Sequence, residues 1–186
     1  PQVDWLTGGE AVQRSLRYRF LLSAGPLDVA RKFLAGNGRL DAAVVFSSTS
    51  VESKQGSADA AERELMQNML ALETELIQSA RSRGVRLTIL RPTLVYGCGL
   101  DGNISRLAGW ARRFGFIPVN GEAGGLRQPV HADDLAAVAV RAMLHETGLP
   151  PILTLAGGET LTYAAMAERI FKAFDRPARL LRLPEW

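Results

Sequence analysis

Hydrophobic and polar residues fall into alternating blocks along the chain, some with the spacing of a buried strand and others with that of a helix. The run DAAVVFSS at 41–48 is almost continuously apolar, which is typical of a central parallel strand buried on both faces. The elements predicted for the first half are a strand over 18–24, a helix over 27–35, a strand over 41–48, a long helix from a cap at Ser57 to Gly84, and a strand over 85–90. Arg91-Pro92 is expected to break that third strand, because proline does not continue a hydrogen-bonded ladder.

The second half continues the alternation with shorter elements. The pattern predicts a helix over 103–114, an extended piece over 116–119, a helix over 132–145, a strand over 152–155, a helix over 160–174 and a strand over 179–183. Asp133 and Asp134 are expected to cap the helix over 132–145. Alternating strands and helices indicate an α/β fold, and Pro150-Pro151 marks the predicted boundary of a small C-terminal lobe.

Composition excludes several classes of protein. The 186 residues are 47% hydrophobic and 22% charged, which is typical of a globular chain and not of a disordered, collagen-like or disulfide-stapled one. Cys98 has no partner for a disulfide and no charged-then-apolar leader precedes Val3, so a cytoplasmic location is expected. Apolar runs are far shorter than the roughly 20 residues that span a bilayer, so no membrane partner is expected. With 22 basic residues scattered among 19 acidic ones, no nucleic-acid partner is expected either.

Three stretches carry a resemblance to a known family: VVFSSTSVES at 44–53, TILRPTLVYGCG at 88–99 and LRQPVHADDLAAV at 126–138. In order and spacing they resemble the NAD-dependent epimerase/dehydratase family of the extended short-chain dehydrogenase/reductase superfamily. LSAGP at 22–26 is similar to the loop after that family's fourth strand, so the resemblance covers nearly the whole chain. It implies a doubly wound parallel Rossmann-like sheet that binds NAD or NADP across its strand ends.

The resemblance also implies how the chain is divided between cofactor and substrate. Residues 1–148 would form a partial dinucleotide-binding domain, and residues 149–186 a small α/β lobe for a nucleotide-sugar-like substrate, with 97–126 contributing to the substrate cleft. The chain opens at Pro1 without a glycine-rich turn, so the first βαβ unit is expected to be missing and the chain to be truncated.

Individual site residues follow from the same resemblance. The residues expected near the dinucleotide are Ala24, Gly25 and Pro26 at the adenosine half, Phe46, Ser47 and Ser48 at the ribose and nicotinamide, and Pro92, Thr93, Leu94 and Val95 against the nicotinamide ring. Ser48 is the candidate catalytic residue, since a hydroxyl at a strand end faces the ligand crevice; the alternative is a serine bonded to nearby backbone. Asn103 and Arg127 are expected to contact the substrate, although a surface ion pair is an equal alternative for Arg127. No metal site is predicted.

The proton relay of that family is missing from this chain. In that family a tyrosine on the long helix transfers the proton, and a lysine four residues later lowers the pKa of that tyrosine. Counted back from Arg91-Pro92, the pair is expected near Gln67 and Ala71, and no Tyr or Lys occurs between Gln55 and Val95. Glu52 and Lys54 could replace the pair, but no motif supports this. The prediction is therefore an oxidoreductase or isomerase with an atypical active site; the alternative is a noncatalytic relative that binds a dinucleotide or a protein partner.

Three further features have competing interpretations. Residues 97–102 (GCGLDG) match the phosphate-binding pattern G-x-G-x-x-G, but Pro118 lies in the supposed second strand, so a flexible loop is the preferred interpretation. His131 is expected to bond to backbone rather than to act as an acid or base. Met66 and Met69 on the long helix fit either core packing or a homodimer contact.

Overall fold

The apolar blocks form ten strands and six helices in the described part of the computed structural model, which comprises residues 18–36, 40–145 and 149–184. In chain order they are β1 (Phe20–Ser23), α1 (Leu27–Gly36), β2 (Ala42–Phe46), α2 (Ser50–Ser53), α3 (Ala60–Ser82), β3 (Arg86–Pro92), β4 (Leu94–Tyr96), α4 (Ile104–Phe114), β5 (Ile117–Asn120), β6 (Leu126–Arg127), β7 (Pro129–His131), α5 (Ala132–Leu144), β8 (Ile152–Leu155), β9 (Leu161–Thr162), α6 (Tyr163–Lys172) and β10 (Leu180–Leu183).

Four strands form one sheet in the order β1-β2-β3-β8. β1 and β2 are parallel, as are β2 and β3, with Ser23 opposite Val45 and Phe46 opposite Leu90. Residues 42–45 of β2 are all buried, as expected for a central strand covered on both faces. The parallel α/β sheet predicted from the sequence is therefore confirmed.

Two units can be distinguished by their internal contacts. Among the described residues, the first unit contains those up to Arg91 together with Ala137–Thr154, and the second contains Pro92–Ala136 and those from Leu155 onward. The predicted boundary between residues 148 and 149 lies inside the first unit. The division of the chain into a cofactor domain and a substrate lobe stays a prediction.

The first unit is held together by apolar residues that α1 and α3 contribute against β2 and β3. Its buried cluster consists of Leu27, Ala30, Leu34, Leu40, Ala43, Val45, Leu76, Ala80, Val85, Leu87 and Ile89. On α3 the buried positions Met66, Glu73, Leu76 and Ala80 are seven, three and four residues apart, so they lie on one stripe of the helix, which faces the interior.

The second unit has a separate core, built by α4, β5 and α6. Its buried cluster consists of Ala111, Ile117, Val119, Ala167, Ile170 and Phe171. Three two-stranded pairings complete the unit: β5 with β10 and β4 with β7 in parallel, and β6 with β9 antiparallel. These pairings position β6, which carries Arg127, and the loop after β4, which carries Asp101.

Several local boundaries differ from the sequence prediction. The helix predicted over 160–174 comprises only Tyr163–Lys172, because Leu161–Thr162 forms β9, and the short strand β4 was not predicted. β3 runs through Pro92, because a proline at the last strand position removes only its own N–H, and Thr93 N donates to Leu155 O at 3.0 Å directly afterwards. The long helix begins two residues later than predicted: the Asp59 carboxylate, not Ser57, accepts a hydrogen bond from Ala61 N. The short helix α2 was not predicted, since three of its four residues are polar and it spans a single turn.

Candidate functional site

The carboxyl ends of adjacent parallel strands bring several predicted residues to one edge of the sheet. Ala24, Gly25 and Pro26 follow β1, and Ser47 and Ser48 follow β2. Ser47 N donates to Leu90 O of β3 at 2.8 Å, which keeps the ladder intact up to this edge. In an open α/β sheet this edge is where ligands bind. The first unit therefore places these predicted residues along one candidate binding edge.

The two serine hydroxyls at this edge have different surroundings. The Ser48 hydroxyl oxygen accepts a hydrogen bond from Ser50 N at 3.1 Å, which agrees with the alternative prediction of a serine bonded to nearby backbone. The hydroxyl hydrogen can still be donated to a ligand. The Ser47 hydroxyl oxygen is buried and has no hydrogen-bond partner among the described residues. Because a buried hydroxyl is stabilised by a hydrogen-bond partner, the Ser47 hydroxyl is a group at this edge that a ligand can pair with.

This edge fits the ribose and nicotinamide half of a dinucleotide. A ribose hydroxyl can satisfy Ser47, and the half-buried Phe46 provides an apolar surface beside it. Gly25 is exposed, and its backbone is open to close approach because nothing lies within 4 Å of a Cβ built there. The described part of the first unit contains no glycine-rich turn that would hold the pyrophosphate.

The long helix has no proton-transfer pair on any face. α3 contains neither tyrosine nor lysine, and the predicted positions Gln67 and Ala71 are both exposed. Met66 is buried, and Met69 packs against the core of the first unit. Core packing therefore accounts for both methionines, and the homodimer stays a prediction.

A buried ion cluster at the end of β3 was missed by the sequence analysis. Arg91 is 5% exposed and Glu73 of α3 is 2% exposed. Arg91 Nε donates to Glu73 Oε1 at 3.1 Å, Arg91 Nη2 donates to Glu73 Oε2, and Arg91 Nη1 donates to Glu52 Oε1 of α2. Hydrogen bonding to Glu73 holds the pKa of Arg91 above its usual value. The only sequence signal was an opposite pair of charges at apolar positions of α3 and β3.

The same cluster bears on the suggested Glu52–Lys54 replacement pair. Glu52 bonds to Arg91, whereas Lys54 Nζ bonds to Glu62 Oε1 at 2.6 Å. The two side chains therefore have separate partners and do not form an acid/base pair with each other.

Arg127 lies at a cavity in the second unit. The cavity, of about 290 Å³, is lined by Pro118, Val119, Asn120, Ala123, Gly125, Arg127 and Tyr163. Arg127 Nη1 donates to Leu126 O at 2.8 Å, and its guanidinium carbon is 5.9 Å from the centre of the Tyr163 ring. No carboxylate of the described residues forms an ion pair with Arg127, so the surface ion pair is not seen and the cation is available to an anion. Asn103 is exposed before α4 and does not line this cavity.

In the glycine-rich segment at 97–102, the Asp101 carboxylate accepts the hydrogen bonds of the loop's own backbone amides. The Asp101 carboxylate accepts hydrogen bonds from Gly97 N at 3.3 Å, Asn103 N at 3.1 Å and Ser105 N at 2.9 Å, and from the Ser105 hydroxyl. Burial tends to raise the pKa of Asp101, but these hydrogen bonds outweigh it and lower the pKa to about 2. Since the amides that would cradle a phosphate already bind this carboxylate, the loop interpretation is the one that the structure supports.

Positions around β7 also have structural roles. His131 Nδ1 accepts a hydrogen bond from Asp133 N at 3.2 Å, as expected for a histidine bonded to backbone. The Thr93 hydroxyl, predicted to lie near the nicotinamide, donates to Gln128 O. Gln128 Nε2 in turn donates to Gly157 O at 3.0 Å. Pro92, Thr93, Leu94 and Val95, together with Asn103 and Arg127, belong to the second unit, and their ligand contacts stay predictions.

Two features are absent from the described residues. No helix there is long and apolar enough to cross a membrane. No group of three or more His, Cys, Asp or Glu side chains in that part of the chain is arranged to hold a metal ion.

Comparison with known proteins places this fold. No family model matches the chain. A UDP-glucose 4-epimerase from Vibrio cholerae is 25% identical over 114 residues, which cover 61% of this chain and 35% of that protein. The crystal structure of UDP-N-acetylglucosamine 4-epimerase from Bacillus cereus has a TM-score of 0.75 at 17% identity, covering 99% of this chain and 72% of that one.

Two further solved structures agree. The NAD-dependent NDP-hexosamine 5,6-dehydratase TunA has a TM-score of 0.70 at 18% identity, covering 97% of this chain and 67% of that one. UDP-glucuronic acid 4-epimerase from Bacillus cereus, solved with UDP-glucuronic acid and NAD, has a TM-score of 0.69 at 17% identity, covering 86% of this chain and 54% of that one. The chain thus spans about a third of the curated relative and about half of this last enzyme. This chain shares the parallel-sheet α/β fold of these epimerase and dehydratase structures, which confirms the fold that the sequence resemblance implied.

Proposed function

We propose that this chain forms part of a protein that binds NAD or NADP and acts on a nucleotide-sugar-like substrate, as an oxidoreductase or isomerase with an atypical active site. The observation that carries the proposal is the Ser47 hydroxyl, buried and unpaired at the carboxyl edge of a parallel sheet. That edge is the ligand-binding edge of doubly wound folds. The neighbours with this fold include a UDP-glucuronic acid 4-epimerase solved with NAD.

The cofactor side of the site would use residues at the ends of β1 and β2. Ser47 would bond a ribose hydroxyl, and Ala24, Gly25 and Pro26 would lie along the adenosine half. The dinucleotide, when bound, would accept a hydride from the substrate and return it. The Ser48 hydroxyl oxygen accepts a hydrogen bond from Ser50 N. Its O–H would donate a hydrogen bond to the oxygen on the reacting carbon of the substrate and so orient that carbon.

The substrate side would use the cavity around Arg127. A guanidinium binds phosphate oxygens in a bidentate manner, and this one is exposed beside Tyr163 with no carboxylate partner among the described residues. Asn120, at the end of β5, adds a polar group to the same cavity. A nucleoside diphosphate supplies both an anion and a ring for such a site.

A second candidate is favoured by the composition of α3. Oxidation or epimerisation of an alcohol requires a group that takes its proton, and a serine hydroxyl alone does so poorly at neutral pH. Because no Tyr or Lys occurs between Gln55 and Val95, the protein could instead be a noncatalytic relative that binds the dinucleotide or a protein partner.

Cofactor binding is tested by titrating the complete natural protein with NAD+, NADH and NADPH, followed by fluorescence and calorimetry. We expect saturable binding, weakened about three- to tenfold in Ser47→Ala, because one hydrogen bond to the ligand is lost. Ser82→Ala removes an exposed hydroxyl at the end of α3 and is expected to leave the affinity unchanged. Absence of binding by correctly folded protein contradicts the proposal.

Catalysis is tested separately, by incubating the cofactor-loaded protein with UDP-sugars and following the sugar by NMR. Turnover supports the enzyme. Saturable binding of both cofactor and UDP-sugar without turnover supports the noncatalytic relative.

A further inference from the structure

The buried Arg91 has one more carboxylate partner than it needs. Glu73 binds Arg91 through two hydrogen bonds, and both side chains are almost fully buried. This pair alone neutralises the buried guanidinium. Glu52 adds a second carboxylate through Arg91 Nη1, although its own side chain is 63% exposed. The cluster therefore has one positive and two negative charges, and carries a net charge of −1.

The excess negative charge lies next to the candidate cofactor edge. Glu52 is on α2, four residues after Ser48, and α2 starts directly from that strand end. Its carboxylate is held by Arg91, the residue that follows Leu90, and Leu90 O accepts the hydrogen bond from Ser47 N. Lys54, the nearest cation in sequence, is paired with Glu62 and so does not neutralise Glu52.

We propose that Glu52 makes this site discriminate between the redox states of the nicotinamide dinucleotide, favouring the oxidised form. This inference rests on the proposed function, in which the ribose and nicotinamide lie against Phe46, Ser47 and Ser48. The nicotinamide ring carries a positive charge in NAD+ and none in NADH, while the rest of the molecule is unchanged. A fixed negative charge beside the ring therefore stabilises bound NAD+ and has little effect on bound NADH.

We expect the fold to stay intact when Glu52 is replaced. Arg91 keeps both hydrogen bonds to Glu73, so no buried charge is left unpaired. Glu52 is exposed, and the buried residue of α2 is Val51. A change in cofactor preference in a Glu52 variant thus reports charge and not unfolding.

The test compares dissociation constants for NAD+ and NADH in the complete natural protein at low salt, by calorimetry. In Glu52→Gln we expect NAD+ to bind about three- to tenfold more weakly, with NADH changed by less than about twofold. For an assumed separation of about 8 Å and an effective dielectric constant of about 40, Coulomb's law gives about sixfold. Glu52→Asp keeps the charge and is expected to keep most of the preference. The matched control is Glu75→Gln, which removes an exposed α3 carboxylate paired with Arg31.

The possible outcomes separate this proposal from the one on which it rests. If both forms bind and their affinity ratio is the same in Glu52→Gln as in the natural protein, the proposal is overturned. An equal loss of both affinities also overturns it, since that result shows a positioning role without charge discrimination. If neither form binds to any variant, the proposed function itself has failed.

Discussion

Replacing Asp101 by asparagine should loosen the loop between β4 and α4 in a pH-dependent way. The carboxylate accepts hydrogen bonds from three backbone amides and the Ser105 hydroxyl. The neutral amide of Asp101→Asn has one acceptor oxygen and cannot satisfy all of these donors. The hydrogen bonds that are lost are those that hold the segment from Gly97 to the first turn of α4.

The magnitude follows from the pKa of Asp101. A decrease from 3.8 to about 2 corresponds to about 2.4 kcal/mol of differential stabilisation of the charged form. Because the side chain keeps some contact with solvent, we expect about 1–2 kcal/mol. The folded-state pKa is lowered, so this stabilisation is fully present above about pH 4 and is lost as the pH falls towards 2. At pH 3 roughly half of it should remain.

The assay is urea unfolding of the natural protein and Asp101→Asn at pH 6 and at pH 3, with amide hydrogen exchange at Gly97, Asn103 and Ser105. We expect a difference of about 1–2 kcal/mol at pH 6, about half of that at pH 3, and faster exchange at the three amides. Asp175→Asn, in an exposed turn of the same unit, should change stability by less than about 0.5 kcal/mol. An equal difference at the two pH values would refute the reasoning.

Two other changes test the second unit. Gly157→Ala should destabilise this unit by about 3 kcal/mol or more in thermal unfolding, because the new Cβ would lie 1.7 Å from Pro129 O. Gly158→Ala is the control and should have little effect, since nothing lies within 4 Å of a Cβ there. Equal stabilities of the two variants would contradict the prediction. Arg127→Ala should weaken UDP binding about ten- to a hundredfold in calorimetry, through loss of charged hydrogen bonds, whereas Arg113→Ala should leave it unchanged; unaltered UDP affinity in Arg127→Ala would remove this arginine from the proposed site.

Sequence analysis was most successful where structure depends on neighbours along the chain. The apolar run that forms β2 predicted a strand buried on both faces, and the spacing on α3 predicted its inward stripe. Hydrophobic period and turn residues are local, so they can be recognised without knowing the fold. Helix starts were less accurate: Ser57 and Asp59 are both capping residues, and only the folded backbone shows which one accepts the helix amide.

The candidate site was predicted in part. Strand ends carrying Ser47 and Ser48 were recognised because carboxyl ends of parallel strands share an edge. The unpaired state of the Ser47 hydroxyl could not be predicted, since it depends on every neighbour that packs around it. The sequence likewise did not decide whether Arg127 binds a ligand or forms an ion pair with a surface carboxylate.

By itself, the sequence determined the α/β class, the residues at the strand ends and the absence of a Tyr–Lys pair between Gln55 and Val95. Tertiary structure alone decided that Arg91 joins Glu73 and Glu52, which lie 18 and 39 residues away along the chain. It also decided that Asp101 occupies the amides of the glycine-rich loop. The physical reason is that periodicity is encoded by adjacent residues, whereas a buried charge acquires its partner only when distant segments pack and exclude water.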